Sequence, residues 1–161
     1  MGAADQRHFD RLRDAHFPPA RNLVAAHITL FHQLPPSCRD ELERLIRRLS
    51  SDTPPPEAML RGAYSLGRGV AFRVESPALL AIRARIADHF HGLLTAQDQG
   101  VPRLHITVRN KVSAGEARAL LADLARDFRP RPLVITGLAA HLYRGGPWEP
   151  AFARNFRGAR T

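Results

Sequence analysis

Residues 25–34, AAHITLFHQL, contain the word HITL (His27 to Leu30), and residues 101–110, VPRLHITVRN, contain HITV (His105 to Val108). On a strand, residues two apart face the same way. His27 and Thr29 therefore share one face and Ile28 and Leu30 the other, while His105 and Thr107 repeat the pattern and leave Ile106 and Val108 for the core. Each copy offers an imidazole beside a hydroxyl on a backbone that its apolar face holds rigid. A single His-x-Thr is more simply a half-buried strand in which threonine serves β-propensity. Two copies about half a chain apart call for another explanation.

The surroundings of the two words repeat as well. Phe9, Leu12 and Phe17 among charges predict an amphipathic helix over Ala4–Phe17, ended by Pro18-Pro19. Leu23 to Gln33 is rich in β-preferring residues and stops at Pro35-Pro36, which predicts a strand. Ser37, with Asp40 three residues on, resembles a capping box opening a helix that runs to about Leu49. After the linker SSDTPPPEA, Met59–Leu66 and Val70–Val74 read as a hairpin through Gly67-Arg68-Gly69. Pro77 opens a second helix, with Leu79, Leu80, Ile82, Ile86 and Phe90 as its apolar set, and TAQDQGVP follows as a loop. Arg103–Asn110 reads as a strand and Gly115–Asp127 as a helix, and Leu133–Leu142 and Trp148–Phe156 read as extended runs around the turn RGGP. Each half thus reads helix, motif strand, helix, two strands, which is the signature of an internal duplication.

Composition bounds the rest. At 161 residues and 44% apolar content the chain is expected to fold as one body, 1–161, without covalent staples. Cys38 is the only cysteine, so no internal disulfide forms and a reducing compartment, the cytoplasm, is expected. No run approaches a membrane span, and the N-terminus is too charged for a signal peptide. Lys and Arg total 24 against 15 Asp and Glu, a net charge of +9, and Lys111 is the only lysine. Guanidinium groups bind phosphate bidentately, so an anionic partner fits, although arginine-for-lysine usage also accompanies GC-rich genomes. There is no basic tail or zinc-finger spacing to sharpen the choice.

If the duplicated halves are related by a pseudo-twofold axis, the two polar strand faces converge on one cleft holding two imidazoles and two hydroxyls. Histidine ionises near neutrality, at about 6.5 when unperturbed. One ring is then free to act as base while the other, protonated, acts as acid. The two threonine hydroxyls, and Arg109 as the next inward residue of the second strand, are expected to bind phosphate oxygens. This arrangement suits in-line displacement at phosphorus without a metal.

These residues are where the chain resembles the two-histidine phosphoesterase superfamily, defined by two H-x-[ST]-x motifs, and within it the branch of 2′-5′ RNA ligases and RNA 2′,3′-cyclic phosphodiesterases. The likeness runs through motif order, the intervening hairpin and helix, and the words around PAHITLFHQLP-like and PRLHITVRNK-like stretches. It implies a bilobal α+β fold in which each lobe is an antiparallel sheet with helices on its outer face, with a central cleft. The first-motif lobe is expected at about 20–75 and the second at about 100–161, with helices shared by pseudo-symmetry. It further implies that His27 and His105 are the acid/base pair, that Thr29 and Thr107 bind phosphate, and that the substrate is a 2′,3′-cyclic phosphate of an RNA end or nucleotide, opened to a 2′-phosphate. Reversible 2′-5′ ligation is the implied side activity. Family members begin with an apolar strand ahead of the first helix, and this chain starts almost directly at that helix, so the first lobe's sheet is expected to lack a member.

Other histidines read less sharply. His32 has the opposite strand parity to His27, His89 and His91 diverge on a helix, His8 and His16 lie in a polar helix, and His141 sits in a late strand. None accompanies a H-E-x-x-H, C-x-x-C or carboxylate cluster, so no metal or cofactor is expected. Gly67-Arg68-Gly69 is a turn before it is a phosphate loop, and Phe31, Phe72 and Tyr143 are core candidates before they are base-stacking ones. The expectation is a monomeric enzyme with no obligate protein partner. The rival is a non-catalytic RNA- or nucleotide-binding module using the same basic cleft.

Overall fold

The computed structural model describes residues 1–145 and 147–159. Its elements are α1 (Ala3–His16), α2 (Arg39–Asp52), β1 (Met59–Ser65), β2 (Gly69–Glu75), α3 (Pro77–His89), β3 (His105–Asn110), α4 (Ala114–Arg126), β4 (Arg131–Pro132), β5 (Gly137–Leu142) and β6 (Glu149–Asn155), with short 3₁₀ turns between. This is a mixed α+β chain whose strand pairs are all antiparallel. The RGGP turn contains Gly146, which lies outside the described residues.

Contacts divide the chain into two compact units, and the division does not follow 20–75 and 100–161. The first unit comprises residues 1–29, 58–75 and 103–133; the second comprises 30–57, 76–102 and 134–161. Both motif words' His and Thr residues therefore belong to the first unit.

The first unit is built on a four-stranded sheet of order β3-β2-β1-β4. Ile106 and Val108 of β3, Val70, Phe72 and Val74 of β2, and Leu60 of β1 are buried. Phe72 meets Phe9 of α1 edge-on at 5.4 Å and lies 5.4 Å from Phe128, just beyond α4, so the two helices cover the apolar face. The β1–β2 turn is the hairpin that its glycines predict: Gly67 has φ of +80°, and a Cβ on Gly69 would lie 2.4 Å from Arg109 O. Asp5, buried in α1, accepts a bond from Arg131 and ties β4 to the first helix.

In the second unit, Leu45, Ile46 and Leu49 of α2, Leu79, Ile82 and Ile86 of α3, and Leu138 of β5 form the buried set, and β5 pairs with β6. Ser76 caps α3 by accepting from Leu79 N at 3.1 Å. The capping box expected at Ser37 is not formed; a 3₁₀ turn over Pro36–Cys38 runs straight into α2, and no side chain caps that helix. The reciprocal box occurs instead at Ser113 and Glu116, opening α4. The extended run expected over 133–142 is broken, with β5 beginning only at Gly137.

The largest departure concerns Leu23–Gln33, expected as a strand. Only Ile28 takes part in a bridge, to Ile106 of β3. Backbone groups at Ala26, Leu30, His32 and Gln33 are claimed by side chains rather than by a ladder. In the first unit, Ala26 N donates to Asp10 Oδ1 at 2.7 Å and Ala26 O accepts from Gln6 Nε2 at 2.9 Å. In the second, His32 N and Gln33 N donate to the Asp98 carboxylate at 2.9 and 3.1 Å, and Leu30 O accepts from Arg83 Nε at 3.1 Å. The stretch bends at Val24, Ala26, Leu30 and His32 and is anchored by side chains without being a strand of a sheet.

Asp98 is 2% exposed. Burial opposes its ionisation, but the bonds from His32 N, the His32 ring, Gln33 N and the Thr95 hydroxyl outweigh that and hold its carboxyl below the ordinary 3.8. A depressed carboxyl contributes stability above its unfolded pKa and loses it as pH falls through the folded one. Asp98→Asn places amide hydrogens against three N–H donors and should cost about 1–3 kcal/mol at pH 7. Urea titrations should show the gap from wild type narrowing below about pH 4; a gap that widens in acid would contradict the assignment.

Candidate active site

The bridge between Ile28 and Ile106 is antiparallel. Counting outward from it sets His27 opposite Thr107 and Thr29 opposite His105. His27 and Thr29 flank the bridged residue of one segment, and His105 and Thr107 flank that of the other. The two histidines occupy diagonal positions, about 7–8 Å apart in such a lattice.

The ring orientations repeat too. His27 Nδ1 lies 2.8 Å from Ala25 O, and His105 Nδ1 lies 2.7 Å from Arg103 O, the carbonyl two residues back in each case. A carbonyl only accepts, so in both rings Nδ1 carries the hydrogen. Nε2 therefore bears the lone pair when the ring is neutral and takes the proton when it is charged. His27 is exposed, and Thr29, His105 and Thr107 are half-buried.

The second word is held by a buried arginine. Arg13 of α1 is 5% exposed; its Nη1 donates to Thr107 O at 2.9 Å, its Nε to Asn22 Oδ1 at 3.0 Å, and its guanidinium lies 4.2 Å over the Phe17 ring. Burial lowers the pKa of Arg13, while Asp10 and Asp14 favour its charged form. Nothing in the helical pattern distinguishes Arg13 from the other arginines of α1, so the sequence carries no signal for it.

The next strands widen the face. Tyr64 of β1 pairs with Ala71 of β2, which pairs with Thr107, so a small residue lies between the tyrosine and the threonine. The Tyr64 ring meets the His105 ring edge-on at 6.1 Å and 88°, and the Arg103 guanidinium lies 5.9 Å from the Tyr64 ring centre. Burial raises the Tyr64 hydroxyl above its ordinary 10.0, with Arg103 and Arg73 opposing. It is a neutral donor at neutral pH. Arg73 stands opposite His105 and pairs with Glu75 at 3.2 Å. The register of the 59–75 hairpin against β3 could have found Tyr64 and Arg73; the sequence reading stopped at the turn.

Arg109 departs from the expectation that it faces the phosphate. The β2–β3 register shifts between Val70 and Ala71, leaving Val108 as the extra residue, so alternation no longer carries from Thr107 to Arg109. Its guanidinium instead meets Glu116 of α4 at 2.7 Å. Hydrogen bonds from Ser113 hold the Glu116 carboxyl below its ordinary range, with Arg109 adding to the effect.

The other candidates are accounted for elsewhere. Phe72 is core, Phe31 lies beneath Arg83, and Arg68 donates to Val112 O. His32 pairs with Asp98 and His89 with Glu41. Tyr143 stacks near Trp148 in the second unit. Among the described residues no group of three or more His, Cys, Asp or Glu could hold a metal ion, and no helix is long and apolar enough to cross a membrane.

The sequence pattern of the 2′-5′ RNA ligase superfamily matches residues 2–147. The chain belongs to that superfamily, the two-histidine phosphoesterases. Among solved structures, the crystal structure of TT0787 of Thermus thermophilus is similar in fold, with a TM-score of 0.62 at 16% identity, over 99% of this chain and 96% of that one. No curated protein matches the chain. Superfamily membership supports the α+β fold and an RNA-related phosphoesterase or ligase chemistry.

Arg13→Met removes the donors to Thr107 O and Asn22 and should lower stability by about 2 kcal/mol in denaturant titration. Arg13→Lys should recover little of it, because one ammonium cannot reproduce both contacts. Full recovery by lysine would show that charge alone matters there.

Proposed function

We propose that this superfamily member is a phosphodiesterase that needs no metal and opens a 2′,3′-cyclic phosphate, on an RNA end or a nucleotide, to a 2′-phosphate. The observation that carries the reading is the pairing of two imidazoles, both with Nδ1 tied to the carbonyl two residues back, across one antiparallel bridge. In the reaction, Nε2 of one ring takes a proton from water as its oxygen attacks phosphorus. The P–O3′ bond breaks, and Nε2 of the other, protonated ring gives its proton to O3′. Thr29 and Thr107, each opposite a reacting imidazole, donate to the non-bridging oxygens as negative charge builds there. The Nδ1–H···O=C bonds fix both rings in the required tautomer and stabilise whichever is imidazolium. When a ribose 5′-hydroxyl attacks in place of water, the same steps form a 2′-5′ linkage, which we place as a side activity. Arg109, engaged by Glu116, is left out of this scheme.

Incubation with a nucleoside 2′,3′-cyclic phosphate in EDTA should give turnover. His27→Ala and His105→Ala should each lower kcat at least about 100-fold. Binding without turnover in the wild type would favour a non-catalytic nucleotide-binding module. Turnover that EDTA abolishes, or that survives both substitutions, would contradict the mechanism. Because one ring must be neutral and one charged, kcat/KM should be bell-shaped in pH. A flat profile from about pH 5 to 9 would count against the pair.

A further inference from the structure

Most guanidinium groups around the first unit's sheet already have partners. Arg61 and Arg73 meet Glu75, Arg109 meets Glu116, Arg131 meets Asp5, and Arg13 is committed to Thr107 O and Asn22. Arg103 differs. It is exposed, and among the described residues no carboxylate pairs with it; the one contact of its guanidinium is the Tyr64 ring at 5.9 Å.

Its place relative to the reacting residues is fixed from three sides. Arg103 O receives the His105 Nδ1 hydrogen, so the residue's backbone is held against the imidazole. Leu104 O accepts from Val74 N at 3.0 Å, which docks the stretch onto β2. Tyr64, edge-on to His105, carries the guanidinium over its face. Residues two apart on an extended chain are about 7 Å apart, the scale that separates successive phosphates of a ribonucleotide strand. With its backbone at that spacing from His105 and its guanidinium by the Tyr64 ring that meets His105 edge-on, Arg103 offers a cation for a second anion of the same substrate.

We propose that Arg103, steadied by Tyr64, binds the phosphodiester on the 5′ side of the nucleotide that carries the cyclic phosphate. The inference rests on the phosphodiesterase reading and deepens it: the site prefers the 3′ end of an RNA chain to a free cyclic mononucleotide, which has no such phosphodiester. The contact is charge-assisted and touches no base, so it carries no sequence preference.

The test compares wild type, Arg103→Ala and Arg103→Lys on two substrates, a nucleoside 2′,3′-cyclic phosphate and a short oligoribonucleotide ending in one. All three retain the main-chain carbonyl that orients His105. The ratio of oligonucleotide to mononucleotide kcat/KM should fall about tenfold in Arg103→Ala, through KM, and the salt dependence for the oligonucleotide should lose about one unit of logarithmic slope. Arg103→Lys should recover most of the ratio, since it keeps the charge. An unchanged ratio, or equal loss on both substrates, overturns the assignment. Wild type inactive on both substrates would sink the phosphodiesterase reading alone. The assignment is then decided by equilibrium binding of an oligoribonucleotide with a 3′-terminal phosphate: about tenfold weakening in Arg103→Ala supports it, and unchanged affinity overturns it.

Discussion

One backbone bridge, Ile28 to Ile106, organises the functional face. Side-chain period is two, so a slip of one residue in that register would exchange the faces of His27 and Ile28, while β2 holds His105 and Ile106 in place. The buried side of the bridge guards against this, because Ile106 is fully buried and Val108 with it. The same packing that stabilises the sheet thus holds β3's side of the bridge in register. Each histidine has its own word's threonine two residues along the chain, and the bridge brings the two words side by side.

Arginine does much of the work of holding that face. A guanidinium fork spans several acceptors at once, and this chain directs it to backbone carbonyls in both units. Arg13 serves Thr107 and Asn22, and Arg83, in the second unit, serves Leu30 and Asp98 main-chain oxygens while covering Phe31. Carboxylates do the matching work for N–H groups, Asp10 at Ala26 and Asp98 at His32 and Gln33. Arg13 and Arg83 are thus structural cations within the net charge of +9, and charge by itself is a poor measure of affinity for nucleic acid.

The apolar patterns around the HITL and HITV words make most helices and the 59–75 hairpin legible, because strand parity and helix period are local properties. What was not legible depends on partners distant in sequence. Leu23–Gln33 has the composition of a strand, yet its backbone is taken by Asp10, Gln6, Asp98 and Arg83, and only pairing distinguishes the two outcomes. The direction of Arg109 is not legible from alternation, because a register shift follows Thr107, and its partner Glu116 lies on the next helix. Asp98 lay in a stretch read as plain loop, although Thr95 three residues earlier is the spacing of a local side-chain turn, and the two are bonded at 3.1 Å. Tyr64 and Arg103 become visible only when β1, β2 and β3 are laid in register.

The account's central claim is that both imidazoles present Nε2 to one phosphate. Long-range proton–nitrogen NMR of the histidine rings, with and without a nucleoside 2′-phosphate, tests it most directly. At high pH the spectra should show His27 and His105 both with the hydrogen on Nδ1, and added ligand should shift the Nε2 signals of both. A ring with its hydrogen on Nε2, or a response confined to one of the two histidines, would contradict the account.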